Sequence, residues 1–114
     1  MRLRGWMQGA MMAALLAGTF GAVAHADVGD GLKVARSNEC MGCHAVDRKL
    51  VGPSFHDVAE RYKTDPQAVA KLSKKVKEGG AGAWGAIPMP AHPRMSDADI
   101  RSVVEWVRAG APSR

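Results

Sequence analysis

Apolar positions along this chain recur with a helical period, and little of it alternates as a strand would. After Ser96, residues Ile100, Val103, Val104 and Val107 return at three- and four-residue steps, which predicts a helix ending near Gly110. Ser96-Asp97-Ala98-Asp99 opens it as a variant of the capping box. Phe55, Val58 and Ala59 share one face of a short predicted helix over Phe55 to Tyr62. Asp65 followed by Pro66 reads as an N-cap with proline at the first helical position. That helix runs to about Lys77 and stops at Gly79-Gly80. Asp30 is expected to cap a first helix from about Gly31 toward Cys40. The expected fold class is therefore all-α, about four helices joined by Gly and Pro loops.

The first residues stand apart from this pattern. Arg2 and Arg4 precede a charge-free stretch from Gly5 to Ala24, and Ala24-His25-Ala26 has the small-x-small form of a cleavage site. Residues 1–26 are expected to be a cleaved secretory signal and 27–114 the mature domain, with no stable membrane insertion. An uncleaved anchor is the competing reading, but the apolar run is short for a span. Of the 16 Lys and Arg, removing Arg2 and Arg4 leaves 14 against 11 acidic residues, so the formal charge falls from +5 to +3. The chain lacks the dense basic patch of a nucleic-acid binder. A domain of this length has too little core to be secure unless something staples or fills it.

Export makes a disulfide the default for two cysteines, but Cys40-Met41-Gly42-Cys43-His44 argues for different chemistry. C-x-x-C-H is the attachment signature of c-type haem: two thiols add across the vinyl groups and the adjacent imidazole reaches the iron. Two intervening residues let one helical turn present both sulfurs to one haem edge. A thioredoxin-type pair would need a preceding strand, and a zinc site would need two further ligands. Neither is evident.

With His44 on one side, the iron needs a second donor or stays open to gases and peroxide. The candidates are His56, His92, Met41, Met89 and Met95. Met89 lies in Trp84-Gly85-Ala86-Ile87-Pro88-Met89-Pro90, where flanking prolines restrict the backbone and leave little entropy to lose on binding. Met95, directly before a helix start, suits packing back on that helix. His56 and His92 read as surface or locally hydrogen-bonded residues, and Met41 as pointing away from the ring. Backbone stiffness favours Met89 over Met95.

Residues 40 to 110 resemble the short bacterial class I cytochromes c of the cytochrome c551 (c8) family. The likeness rests on Cys40 to Pro53, Phe55 to Tyr62, Trp84-Gly-Ala-Ile-Pro-Met-Pro to Pro90, and Ser96 to Val107. It implies the small class I cytochrome c fold packed around one covalently bound haem c with its iron. It also implies His44 and Met89 as axial ligands, the Pro53 carbonyl on the other nitrogen of His44, and Trp84 and Lys75 directed to the haem propionates. The terminal helices of such proteins cross tightly, so Trp106 and Val103 are expected to meet Val34 and Ala35. One departure is the stretch Ala91-His92-Pro93, where relatives often carry an asparagine bonded to the ligand sulfur.

The function so implied is periplasmic one-electron transfer by a monomer that is a carrier and not an enzyme. It would run from a quinol-oxidising complex or other donor to a terminal oxidase or nitrite reductase. Lys71, Lys74, Lys75 and Lys77 are either a solvated face or a means of steering an acidic redox partner. Two alternatives remain: a sensor or enzyme in which the methionine is displaceable, and a subunit of a membrane redox complex.

Overall fold

The computed structural model describes residues 18, 21 and 28–113. The expected signal segment, apart from two glycines, and the expected mature start at Asp27 lie outside the described residues. Four helices follow in order: α1 (Val28–Ser37), α2 (Phe55–Tyr62), α3 (Ala68–Glu78) and α4 (Asp97–Arg108), with one 3-10 turn at Cys40–Gly42. Among the described residues there is no strand, and one isolated antiparallel bridge joins Gly80 to Met89. No described helix is long and apolar enough to cross a membrane.

Helix termini account for most of the boundaries. Ser96 caps α4 as expected, its Oγ accepting from the Asp99 N–H at 3.1 Å. Ser54 does the same for α2, accepting from the Asp57 N–H at 3.0 Å. Two expected starts are corrected. α1 begins at Val28, so Asp30 sits inside its first turn, where a carboxylate favours the helix dipole, and does not cap it. α3 begins at Ala68, not at Pro66: the Asp65 carboxylate accepts from the Gln67 N–H at 2.8 Å and the Asp65 carbonyl from the Ala68 N–H at 3.1 Å. That local turn uses the capping oxygen before the helix proper starts.

α4 is the centre of the packing, with α1, α2 and α3 all laid against it. It contributes Ile100, Val103, Val104, Trp106 and Val107 to a core completed by Ala35, Phe55, Val58, Met95 and Ala111. Trp106 is wholly buried, and its indole N–H donates to the Pro112 carbonyl at 2.8 Å, so the largest core residue leaves no polar atom stranded. The α1–α4 crossing is as close as expected, and Ala35 is fully buried in it. A further tight approach falls one turn earlier. A Cβ on Gly31 would lie 2.0 Å from the Trp106 Cβ and 2.8 Å from the Ser102 carbonyl oxygen, so only glycine lets the two helices meet there.

Candidate functional site

The segment after α1 is built to present sulfur and imidazole together. Glu39 adopts a left-handed conformation (φ 61°) and turns the chain out of α1. The next residues coil tightly: the Cys43 and His44 N–H groups both donate to the Cys40 carbonyl, at 3.2 and 3.0 Å. Both cysteines are free and half-buried. Burial pushes the Cys40 thiol above its ordinary pKa, against a smaller opposing pull from a backbone hydrogen bond.

His44 is held on three sides. Its Nδ1 lies 2.7 Å from the Pro53 carbonyl oxygen, as the resemblance implies, which makes Nδ1 the protonated nitrogen and leaves the Nε2 lone pair for a metal. Its ring stacks on Phe55 at 5.0 Å between centroids, and Phe55 in turn meets Trp106 edge-on at 5.3 Å. Gly52 closes the third side. A Cβ there would stand 2.5 Å from His44 Cε1, so the imidazole lies flat against the backbone at that point. The Gly52 N–H donates back to the Cys43 carbonyl at 2.8 Å, tying this strap to the 3-10 turn.

Facing these groups is a cavity of about 390 Å³. Cys40, Cys43, His44 and Pro53 line it, together with Lys75 on α3 and Trp84 and Met89 in the loop between α3 and α4. Leu72, Val76, Val103, Val104 and Val107 supply an apolar wall. Every residue expected at the site therefore borders one volume. The rejected donors do not: Met95 is buried in the core, Met41 packs against that core, His56 is exposed, and none of these nor His92 borders the cavity. His92 is half-buried and its Nδ1 has no hydrogen-bond partner among the described residues. The donor set fits haem c: two free thiols on one turn, one imidazole nitrogen left free by its tautomer, one thioether, and an apolar enclosure.

The Met89 loop is a narrow hairpin. Gly80 and Met89 exchange backbone hydrogen bonds of 3.0 and 2.9 Å at its base, and the Gly82 N–H donates to the Gly85 carbonyl at 2.8 Å near its tip. Gly79, Gly80, Gly82 and Gly85 all have positive φ, which explains why this loop is so rich in glycine. The lysine cluster is less available than the sequence suggests. Lys71 pairs with Asp65 at 2.7 Å, Lys74 with Glu78 at 4.0 Å and Lys77 with Asp97 at 3.8 Å, whereas Lys75 borders the cavity. Sequence reasoning also missed Arg61, whose guanidinium lies over the Trp84 ring.

Comparison with known proteins agrees with this geometry. The family model described as Cytochrome c matches residues 28–111. Cytochrome c-552 of Nitrosomonas europaea is 40% identical over 74 residues, 65% of this chain and 72% of that protein. Cytochrome c-551 of Azotobacter vinelandii is 43% identical over 77 residues, 68% of this chain and 93% of that protein. The crystal structure of wild-type Nitrosomonas europaea cytochrome c552 superposes with a TM-score of 0.67 at 38% identity, covering 69% of this chain and 98% of that one. With four helices, a C-x-x-C-H turn and these relatives, the chain belongs to the cytochrome c family, as a small class I electron-transport protein with one covalently bound haem c and its iron.

Proposed function

We propose that residues 27–114, released from the signal segment 1–26, act in the periplasm as a monomeric one-electron shuttle. In this reading Cys40 and Cys43 form thioethers to the haem, and His44 and Met89 are its axial ligands. The observation that carries it is the convergence of all four on one apolar cavity from two separate stretches of chain. When bound, the haem supplies an iron that alternates between ferrous and ferric states.

The protein's own residues do the rest. Pro53 fixes the His44 ring and, by accepting the hydrogen bond from its Nδ1–H, makes the imidazole a stronger ligand. Pro88 and Pro90 stiffen the backbone on either side of Met89, so the sulfur moves little when the charge on the metal changes. Leu72, Val76, Val103, Val104 and Val107 would keep water from a bound haem, which would favour the less charged ferrous state, as would thioether ligation. Were His44 and Met89 both to hold the iron, no position on it would remain for a substrate, which supports a carrier over an enzyme. Lys75, which lines the cavity as Lys49 also does, is the cation assigned here to a propionate. The donor is a quinol-oxidising complex or similar, and the acceptor a terminal oxidase or nitrite reductase.

Absorption spectra of the purified holoprotein in both redox states, with intact mass, test the reading. The expected results are one haem per chain starting at Asp27, a long-wavelength iron–sulfur charge-transfer band when oxidised, and poor carbon monoxide binding when reduced. In Met89→Ala the band should vanish and carbon monoxide should bind. Rapid carbon monoxide binding by the unaltered protein would favour a sensor or enzyme, and elution of the native protein in a large assembly would favour a complex subunit.

A further inference from the structure

The loop that carries Met89 is tied at its base by the Gly80–Met89 pair of backbone hydrogen bonds, and near its tip by the Gly82–Gly85 turn. Residues 83–88 line the cavity on one side. A further contact grips the tip from the other. Arg61, near the C-terminal end of α2, reaches it from outside. Its Nη1 donates to the Ala83 carbonyl, and its Cζ lies 4.5 Å from the centre of the Trp84 ring. Among the described residues no carboxylate is paired with Arg61, so its charge is directed to the loop. A guanidinium suits both contacts at once, since its plane stacks on an indole while its edge donates in that plane, and it stays charged at any working pH.

We propose that Arg61 is a positioning residue that clamps the tip of the Met89 loop and so sets how readily the Met89 sulfur leaves the iron. This rests on Met89 being the axial ligand. Met89 lies six residues beyond Ala83 and is joined to the tip through the stiff Ile87-Pro88 segment, so freedom at the tip becomes freedom at the sulfur. Arg61 acts from outside the cavity, which it does not border. It therefore tunes the lability of the ligand without touching it.

The test is uptake of free imidazole by the oxidised holoprotein, followed by loss of the iron–sulfur charge-transfer band at saturating imidazole, where departure of the native ligand limits the rate. Arg61→Ala and Arg61→Gln should exchange at least roughly tenfold faster than the unaltered protein, the factor that one charged hydrogen bond supplies at the low end of its range. Arg61→Lys, which keeps a cation and a donor, should fall between. The thermal midpoint should fall by several degrees in Arg61→Ala and Arg61→Gln and by less in Arg61→Lys. Equal exchange rates in all four proteins, with the band present, would overturn the clamp. A faster rate with no recovery in Arg61→Lys, or an equal acceleration in Gly31→Val, which loosens the frame away from this loop, would also overturn it by showing a merely structural role. Absence of the band from the unaltered protein would overturn the Met89 assignment itself, and the clamp with it.

Discussion

The two halves of the haem cavity are held by different physics. One wall belongs to the helical frame, where α4 buries five large side chains against α1, α2 and α3 and where His44 is stacked onto that core through Phe55. The other is the Met89 hairpin, which closes the cavity from the loop between α3 and α4 and is held by a pair of backbone hydrogen bonds, glycine turns, two prolines and one arginine. Under the proposed ligation, the histidine is backed by a packed core and fixed by burial. The methionine depends on local stiffness and on the metal it would bind. A small domain could thus keep one ligand constant and leave the other adjustable.

The strongest way to break this comparison is to remove the haem. Under the proposed ligation, a bond from His44 through iron to Met89 would close a loop of about 45 residues, which by analogy with a disulfide would contribute on the order of 4 kcal/mol before haem burial is counted. A Cys40→Ala, Cys43→Ala double variant should lose most of its helical dichroism. Retention of a native-like spectrum would show that the frame stands without the cofactor. A smaller effect separates frame from loop. Gly31→Val drives a side chain into Trp106 and should cost about 3 kcal/mol in chemical denaturation, while the haem spectrum of the folded fraction stays unaltered.

The smallest expected effect lies outside both walls, at the turn that precedes α3. The Lys71 ammonium, followed by the Gln67 N–H, holds the Asp65 carboxyl below the usual carboxylate range. Because the folded pKa is depressed, the associated stability is fully present above the unfolded value of about 3.9 and is lost as pH falls through the folded pKa. Asp65→Asn should therefore lower the thermal midpoint slightly at neutral pH, and the difference should close in acid. A gap that persists unchanged at low pH would assign it to the turn geometry instead.

Much of this arrangement is legible along the chain, and its gaps have physical causes. α2 matches its expected bounds and α4 starts where its cap predicts, because a serine cap and helical periodicity act over one or two turns. The starts of α1 and α3 differ because Asp30 and Asp65 are residue types that suit both a cap and other local roles, and neighbours decide which. At the site, the C-x-x-C-H spacing and the proline-flanked methionine point to the residues that border the cavity, since both motifs are local. Gly31, Gly52 and Arg61 escape such reading. Each owes its importance to a partner distant in the chain or to a contact across a turn: Trp106 for Gly31, the His44 ring for Gly52, the Ala83 carbonyl for Arg61.

The aromatic series from His44 through Phe55 to Trp106 has an evolutionary corollary. If His44 is the ligand proposed, interior substitutions that would pass as neutral repacking elsewhere would here shift the electrochemistry, because its ring stacks on Phe55, which in turn rests on Trp106. Libraries varied at 55 and 106 should consequently show correlated changes in melting and in midpoint potential, so selection for heat tolerance in this lineage would carry redox tuning along with it.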